Sequence, residues 1–390
     1  MNSKNNCVQI ILSELERANS LRPIGILKKN NIKIKFIKNN KKKNLIKKNK
    51  KILIIRLGGI GDVVMSIPSI KGLKSKYLSS NITFLTYNYN CIFLKKLQII
   101  NRVYSIEEFI IKKKFIDEKF DLVINLDNSL ISSAVTKLVI GLEKRGFVLR
   151  KKNIFETTTK GALLLNKLYT NKNFRRRNRK HISKIFCEIA GVKYIHFDNK
   201  KDFKNLHFHK NEKLKLLFRQ LKKNNTKIVA VHPGSNWKSK ILNFKFYANI
   251  INSLIKKNVK IILLGGQLEK NIEKKIFKLI INKKNYINLV NKYKLDKLIL
   301  ILKNCNLLIS NDTGTMHFTY LSNTKSINFF GPTSPLESGS MSKSSINIKS
   351  SNKSAPCFSS RCKCFKNFSK KKCIDEIDED KVIKLIYKKI

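Results

Sequence analysis

Apolar segments alternate between two spacings along the chain from residue 51 onward. Continuous runs of apolar, β-branched residues predict buried strands, whereas apolar residues at helical spacing predict helices between them. The first series has predicted strands at residues 52–56, 82–86, 93–97, 102–105 and 122–126, and predicted helices at 63–77, 130–141 and 181–190. Pro68 should kink the first of these helices or delay its start. Such alternation is typical of a parallel sheet with helices on both faces.

A charged stretch, residues 199–225, predicts an interdomain connection. A second series follows, with predicted strands at 228–232, 260–264, 287–289, 307–310 and 327–330, and predicted helices at 244–257, 268–281 and 295–303. Two such series in 390 residues predict an α/β protein with two Rossmann-like domains that face each other across a cleft. We assign residues 1–50 to a basic N-terminal extension, 51–220 and 221–375 to the two domains, and 376–390 to a C-terminal helix.

A glycine-rich turn follows the first strand. Gly58, Gly59 and Gly61 make a tight loop in which the backbone can approach a ligand, and Asp62 comes next. Ligands of α/β proteins bind at the carboxyl ends of parallel strands, so we place Asp62 at the mouth of a cleft. An ordinary turn with an N-cap aspartate would look the same, and both interpretations stay open. A dinucleotide site is disfavoured because Val64 occupies the position of the third glycine.

The order of strand, polar turn and helix recurs at residues 122–141, where Asp127 follows the strand. Its side chain is expected at the same sheet edge as Asp62. Residues 171–180, NKNFRRRNRK, then form an arginine cluster just before a predicted helix. This segment either meets an anionic acceptor or is a solvated loop, and the sequence does not decide between the two.

Three polar loops follow strands of the second series. Their candidate residues are His232, Ser235 and Lys240 in the first loop, Glu269 in the second, and Asp312, Thr313, Gly314 and His317 in the third. The N–H groups at the start of the helix that follows the third loop make an anion site, to which Lys240 adds a positive charge. Asp312 and Glu269 are suited to accept hydrogen bonds from hydroxyl groups, and we interpret His232 as structural. Together on one sheet edge, the loops favour a nucleotide-linked substrate.

The formal net charge of +57 allows nucleic acid, an anionic membrane surface or a phosphorylated substrate as a partner. Lysine is over-used in every kind of segment, so we attribute most of this charge to lysine as the default surface residue. The sequence contains no recognisable nucleic-acid-binding module. No window approaches about eighteen uncharged apolar residues, and the N-terminus lacks a signal peptide, so we expect a cytoplasmic protein.

Four of the eight cysteines fall late in the chain, at Cys357, Cys362, Cys364 and Cys373. Their spacing is irregular and matches no standard zinc pattern. We therefore favour a structural or free-thiol role over a metal site, and we expect neither a metal nor a cofactor.

Several motifs together resemble glycosyltransferase family 9, the ADP-heptose:lipopolysaccharide heptosyltransferases. They are RLGGIGDVVMSIPSIKGLK, DLVINLDNS, HPGSNWKSK, ILLGGQLE, LLISNDTGTMHFTYL and FFGPTSP. The resemblance runs from about residue 51 to the C-terminus. It implies a GT-B fold, with the acceptor bound by the first domain and the donor mainly by the second. It also implies metal-independent, inverting transfer of heptose from ADP-L-glycero-β-D-manno-heptose to the inner core of lipopolysaccharide.

The family pattern also implies roles for individual residues. Asp62 takes the position of the catalytic base, and a carboxylate suits that role because it can accept the proton of the acceptor hydroxyl. Lys240, Thr313 and Gly314 match the groups that hold the diphosphate. The other implied donor contacts are Glu269 at the ribose, Asp312 and His317 around the sugar and phosphate, Tyr293 on adenine, and Ser235; the implied acceptor loop is Gly58, Gly59, Gly61 and Asp127.

The sequence departs from the family pattern after Lys240, where Ile-Leu-Asn replaces Arg/His-Trp-Pro, so the placement of the lysine is less constrained. A family member that acts on another sugar or acceptor, and a basic nucleic-acid-binding protein, remain the alternatives. We expect a monomer that binds a nucleotide-sugar donor and a lipid A-core acceptor. We place it at the inner, cytoplasmic face of an anionic membrane, and we expect it to bind no nucleic acid specifically.

Overall fold

The chain divides into two compact units, Met1–Lys204 and Asn205–Ile390. The computed structural model describes Gln9, Ser13 and residues 34–36, 49–112, 115–151, 154–203, 211–222, 225–362 and 372–390. Each unit holds one sheet with helices, which confirms the predicted α/β class. The first unit ends at residue 204, whereas we assigned residues up to 220 to the first domain.

Among the described residues, the sheet of the first unit has seven strands. They are β1 (Ile34–Phe36), β2 (Lys51–Ile55), β3 (Asn81–Thr86), β4 (Arg102–Ser105), β5 (Lys119–Asn125), β6 (Ile140–Lys151) and β7 (Ile154–Thr157). Their order across the sheet is β1-β7-β6-β5-β2-β3-β4, and every neighbouring pair is parallel except β6 with β7. The strand β1 lies in the segment that we assigned to the basic extension, so part of that segment joins the sheet.

The three helical segments that we predicted in this unit are present, whereas the helices at Asn88–Leu94, Ile106–Ile111, Lys160–Thr170 and Lys172–Arg176 were not predicted. The helices of the unit are α1 (Ile60–Met65), α2 (Ile67–Lys76), α3 (Asn88–Leu94), α4 (Ile106–Ile111), α5 (Leu130–Leu138), α6 (Lys160–Thr170), α7 (Lys172–Arg176) and α8 (Ile182–Ala190). Pro68 lies in the first turn of α2, and the predicted single helix is therefore two. The prediction of a strand at 93–97 is wrong, because residues 93 and 94 are the last residues of α3. A short apolar run looks the same in sequence whether it forms a strand or the buried face of a helix.

In the described part of the second unit, six strands form a fully parallel sheet of order β10-β9-β8-β11-β12-β13. The strands are β8 (Ile228–His232), β9 (Lys260–Leu263), β10 (Tyr286–Asn288), β11 (Leu307–Asn311), β12 (Lys325–Phe330) and β13 (Ser345–Lys349). The helices are α9 (Glu212–Leu221), α10 (Phe244–Lys256), α11 (Lys270–Phe277), α12 (Leu295–Lys303), α13 (Gly314–Ser322), α14 (Pro335–Ser338) and α15 (Glu379–Tyr387). Helix α9 occupies much of the predicted connection, and β13 was not predicted.

Each sheet is the centre of its own apolar core. The apolar residues of β2 and all five residues of β8 are buried, as expected for central parallel strands covered on both faces. Helices α10 and α15 pack their apolar sides onto the second sheet. In the part of the chain that the structure describes, no helix is long and apolar enough to cross a membrane.

Candidate active site

A buried arginine organises the glycine loop of the first unit. Arg56 follows β2, and its Nη2 lies 3.1 Å from Oδ1 of Asp62. Its Nη1 lies 3.2 Å from Oδ1 of Asp127 and donates to the carbonyl oxygen of Leu126 at 3.0 Å. The Arg56 side chain is 5% exposed and that of Asp62 is 36% exposed. A buried cation therefore holds one carboxylate at the surface and a second one beneath it.

Helix α1 begins earlier than we expected. Gly59 is its N-cap, so Gly61 and Asp62 belong to the first helical turn and not to the loop. A negative charge in the first turn is favourable because the N–H groups there are unpaired. Gly58 is needed for close packing, since a Cβ there would lie 2.9 Å from Nε of Arg56 and from Cβ of Asp62.

Asp127 is held from three directions. Its Oδ2 accepts the backbone N–H of Leu57 at 3.1 Å and the hydroxyl of Ser129 at 3.5 Å, while Arg56 contacts Oδ1. Burial raises the pKa of Asp127, and Arg56 opposes that effect. Burial also opposes the charge of Arg56, but Asp62 and Asp127 outweigh it, so the pKa of Arg56 is raised. The structure thus brings Asp62 and Asp127 to one permanently charged guanidinium.

Neighbouring side chains fix the backbone of this loop. The amide of Asn90 and the hydroxyl of Tyr89 donate to the carbonyl of Gly58 at 3.1 Å and 3.3 Å. Burial and then the charge of Asp62 raise the pKa of Tyr89 to about 12. The hydroxyl of Tyr89 therefore keeps its proton at neutral pH and stays a donor.

In the second unit, Lys240 is paired with Asp312. Its Nζ lies 2.7 Å from Oδ2 of Asp312 and 4.6 Å from the ring centroid of Trp237. The hydroxyl of Thr333 donates to the same Oδ2 at 2.6 Å, and that of Ser235 donates to the backbone oxygen of Asp312 at 3.1 Å. These contacts place the lysine beside the start of α13 although the residues after it depart from the family pattern.

The backbone N–H groups at the start of α13 donate no hydrogen bond to the side chain of the N-cap residue. Thr313 is its N-cap, its side chain makes no capping hydrogen bond, and Gly314 is the first helical residue. His317 is buried in the first turn. The amide of Asn311 donates to the carbonyl of Pro233 at 2.7 Å, which ties the end of β11 to the loop after β8. An anion at this helix start would meet both the N–H groups and the nearby lysine.

Glu269 lies under the loop that follows β8. Its Oε2 accepts the N–H of Gly266 at 2.8 Å, and a Cβ on Gly234 would lie only 2.1 Å from its Oε1. Burial lowers the pKa of His232, and the neighbouring Glu269 opposes that effect. His232 is therefore neutral at pH 7, in agreement with a structural role. Glu269 presents its charge to the loop and not to open solvent.

Tyr293 lies in the turn before α12 and is half-buried. Two residues earlier, Asn291 donates its backbone N–H to the carbonyl of Gly265 at 2.9 Å and its amide to Oε1 of Gln267 at 3.1 Å. The turn that carries Tyr293 thus lies against the loop that carries Glu269.

The late cysteines take part in no disulfide among the described residues. Cys357 and Cys362 are half-buried, Cys373 is buried, and Cys364 lies outside the described residues. No group of three or more His, Cys, Asp or Glu side chains in the described ranges is arranged to hold a metal ion. The structural or free-thiol role of the late cysteines stays a prediction.

Comparison with known proteins decides the family. The model of glycosyltransferase family 9 (heptosyltransferase) matches residues 109–367. The chain belongs to this glycosyltransferase family. It is similar to lipopolysaccharide heptosyltransferase 1 of Campylobacter coli, with 27% identity over 304 residues that cover 72% of this chain and 84% of the relative. It is also similar to lipooligosaccharide heptosyltransferase 2 of Haemophilus ducreyi, with 25% identity over 321 residues, 76% of this chain and 88% of the relative.

Solved structures confirm the GT-B fold. A family 9 glycosyltransferase from Veillonella parvula superimposes with a TM-score of 0.69 at 16% identity, covering 87% of this chain and 96% of that chain. An E. coli heptosyltransferase solved with ADP superimposes with a TM-score of 0.61 at 15% identity, covering 87% and 100%.

Sequence reasoning missed several residues of this glycosyltransferase that hold the site together. Arg56 was read only as the end of a strand, although a charged residue next to a buried strand is normally paired. Thr333 belongs to the FFGPTSP motif, but its hydrogen bond to Asp312 follows only from the structure. Asn311 was read only as the residue before Asp312.

Proposed function

We propose that the enzyme transfers heptose from ADP-L-glycero-β-D-manno-heptose to the inner core of lipopolysaccharide, with inversion at the anomeric carbon. Family membership and the names of its relatives support the sugar and the acceptor class. The observation that carries the proposal is the partly exposed carboxylate of Asp62, held 3.1 Å from a buried guanidinium at the carboxyl edge of the first sheet. That arrangement suits a base that keeps a fixed position while a sugar hydroxyl approaches.

The proposed reaction is a single displacement. An acceptor hydroxyl attacks the anomeric carbon of the donor, its proton passes to Asp62, and the bond between that carbon and the β-phosphate oxygen breaks. ADP leaves with the electron pair of that bond. Lys240 and the N–H groups at Thr313 and Gly314 stabilise the charge that develops on the leaving diphosphate.

Other residues of the second unit bind the rest of the donor in this proposal. Ser235 and Asp312 position the sugar and the loop that carries Lys240. His317 supports them from the first turn of α13. Glu269 accepts hydrogen bonds from the ribose, and Tyr293 packs on adenine. Support for this arrangement is the contact between the Asn291 turn and the loop after β9.

The pairing of Lys240 with Asp312 gives the donor site a specific requirement. A diphosphate has to share the ammonium group with a carboxylate 2.7 Å away. The hydroxyl of Thr333 stays on Asp312 and can hold that carboxylate in place while Lys240 turns toward phosphate. We propose that no metal ion is needed, because the lysine and the helix start supply the positive potential.

A donor screen tests the function. Purified protein is mixed with truncated lipopolysaccharide and with ADP-heptose, ADP-mannose or a UDP-sugar, and nucleotide release is followed with product analysis. Release of ADP with ADP-heptose, dependent on the acceptor, is the expected result. Equal release with another sugar nucleotide, or transfer to another acceptor, would assign a different member of the family.

We also propose that the enzyme works at the cytoplasmic face of the membrane and is held there by charge. The lysine-rich part of the basic extension, residues 39–48, lies outside the described residues. Each lysine near an anionic surface contributes about 1 kcal/mol, screened by salt. Replacing the lysines at 41–43, 47 and 48 by glutamine should reduce binding to anionic vesicles at low salt but not to neutral ones. Unchanged binding would exclude this segment as the anchor.

A further inference from the structure

The arginine cluster at residues 171–180 is unusual for this chain. Lysine is the default cation elsewhere, yet four of the twelve arginines fall at Arg175, Arg176, Arg177 and Arg179. The segment contains no aspartate or glutamate. Arginine differs from lysine in offering a planar fork of donors that matches phosphate and carboxylate oxygens. Lysine-rich composition therefore does not account for this cluster.

Two arginines of the cluster, Arg177 and Arg179, line a concave region of about 480 Å³. Arg177 and Arg179 are exposed and make no ion pair within the described part of the chain, whereas Lys180 pairs with Glu188. The guanidinium of Arg179 donates to the carbonyls of Arg176 and Asn178, each at 3.2 Å. The region is lined by Phe174, Arg177, Asn178, Arg179, Lys180 and Lys184. The region is thus a basic depression, and the hydrogen bonds of Arg179 hold the turn that forms part of its wall.

Packing connects this depression to the candidate base. The guanidinium of Arg175 lies over the ring of Tyr169 at 5.0 Å, which ties the cluster to α6. Helix α8 begins directly after the cluster, and the ring of its Phe186 lies 5.0 Å from the guanidinium of Arg56. Arg56 in turn holds Asp62. The depression therefore adjoins the helix that carries Phe186, and Phe186 contacts the arginine that holds the candidate base.

We propose that this depression binds an anionic group of the acceptor, a phosphate or a carboxylate, and so orients the acceptor hydroxyl toward Asp62. The inference rests on the proposed function and specifies its acceptor site. A discrete anionic group fits a concave region lined by exposed guanidinium groups better than a flat bilayer surface does. Arg177 and Arg179 are the binding residues, and the contact of Arg175 with Tyr169 holds their segment against α6.

The test compares two double variants of the full chain. Arg177→Gln/Arg179→Gln removes two charges from the depression. Lys96→Gln/Lys112→Gln removes two exposed charges elsewhere in the same unit and is the matched control. The probes are deacylated lipopolysaccharide inner-core oligosaccharide, its phosphatase-treated counterpart, and anionic vesicles. Binding is measured by calorimetry without donor, and KM and kcat are measured with ADP-heptose.

The arginine variant should bind the oligosaccharide about tenfold or more weakly and raise its KM by a similar factor, with the KM for ADP-heptose unchanged. The lysine control should match the wild type. Loss of wild-type affinity after phosphatase treatment identifies a phosphate as the ligand, and retained affinity identifies a carboxylate. Equal weakening in both variants, no oligosaccharide binding by the wild type, or an effect on vesicle binding alone would overturn the proposal. Normal binding without turnover would contradict the proposed transferase reaction and leave the anion site standing.

Discussion

Arg56 and Asp62 are joined across the glycine loop by an ion pair of 3.1 Å, and the arginine is the buried partner. Its other side is occupied by Asp127, so the guanidinium cannot turn away from Asp62 without leaving a buried carboxylate uncompensated. The loop therefore presents Asp62 in one orientation. For the base that we propose, a fixed orientation keeps the carboxylate positioned to accept the proton of an incoming hydroxyl at hydrogen-bond distance.

The first prediction concerns Asp62 itself. Asp62→Asn should lower kcat by about 10²- to 10⁴-fold, because the amide cannot accept the proton of the acceptor hydroxyl. The affinity for ADP, measured by calorimetry, should stay at the wild-type value, since the proposed donor contacts are in the second unit. Asp117→Asn, which changes an exposed carboxylate of the same unit, is the control and should be fully active. Near-normal turnover of Asp62→Asn would remove this residue from the mechanism.

The second prediction concerns the shape of the cation. Arg56→Lys keeps the charge but offers one nitrogen where the guanidinium uses Nη2 for Asp62 and Nη1 for Asp127. We expect kcat to fall roughly tenfold, the size of effect of one lost charge-assisted hydrogen bond, with little change in ADP affinity.

Arg102→Lys is the matched control for that substitution. Arg102 contacts both oxygens of Glu118 at 2.7 Å and 2.9 Å in the same unit, away from the glycine loop. If both substitutions lower kcat equally, the effect reports general destabilisation of the unit. If Arg56→Lys is as active as the wild type, the two-sided contact has no role in turnover.

Some parts of this structure could be predicted from sequence because local signals and burial agree. Strands β2, β8 and β11 were located within one or two residues, since each is a continuous apolar run between glycine or polar turns. Strand β6 was missed because Glu143, Lys144 and Arg145 interrupt its apolar pattern, and pairing with β5 compensates for that only in the folded sheet.

The candidate site shows the same limit. The positions of Asp62, Asp127 and Asp312 after strands could be predicted, because parallel strands end at one sheet edge. Their partners could not, because the contact of Arg56 with Asp127 joins residues 71 apart in the chain and that of Thr333 with Asp312 joins residues 21 apart. The contact of Arg56 with Asp62 is local, but it depends on the conformation of the glycine loop. Such contacts depend on side-chain geometry in the folded unit.

The third prediction concerns Lys240. Lys240→Ala should weaken ADP binding by about 10- to 100-fold, the loss expected for one charge-assisted contact to the diphosphate. Lys240→Arg should restore it only partly, because a planar fork does not reproduce a compact ammonium group. Lys238→Ala is the matched control, since it removes an exposed lysine from the same three-residue 3₁₀ helix, Lys238–Lys240. If Lys238→Ala weakens ADP binding and Lys240→Ala leaves it unchanged, Lys238 and not Lys240 binds the diphosphate.

The fourth prediction concerns metal ions. Turnover should continue in EDTA, because Lys240 and the start of α13 supply positive potential at the diphosphate without a divalent ion. The assay compares initial rates with EDTA, with added Mg²⁺ and with added Mn²⁺ at the same ionic strength. Activity that disappears on chelation and returns with either ion would contradict the proposed metal-independent departure of ADP.

The last prediction concerns the buried histidine of the second unit. Burial lowers the pKa of His232 in the folded protein, whereas in the unfolded chain it has the ordinary value near 6.5. Below about pH 6.5 the unfolded chain therefore binds a proton that the folded protein resists, and folding stability decreases as the pH falls. Glu269, the charged neighbour of His232, reduces this effect without reversing it. The Tm of the wild type should fall more between pH 7.5 and 5.5 than the Tm of His232→Gln. Parallel decreases in the two proteins would show that protonation of His232 does not contribute to acid destabilisation.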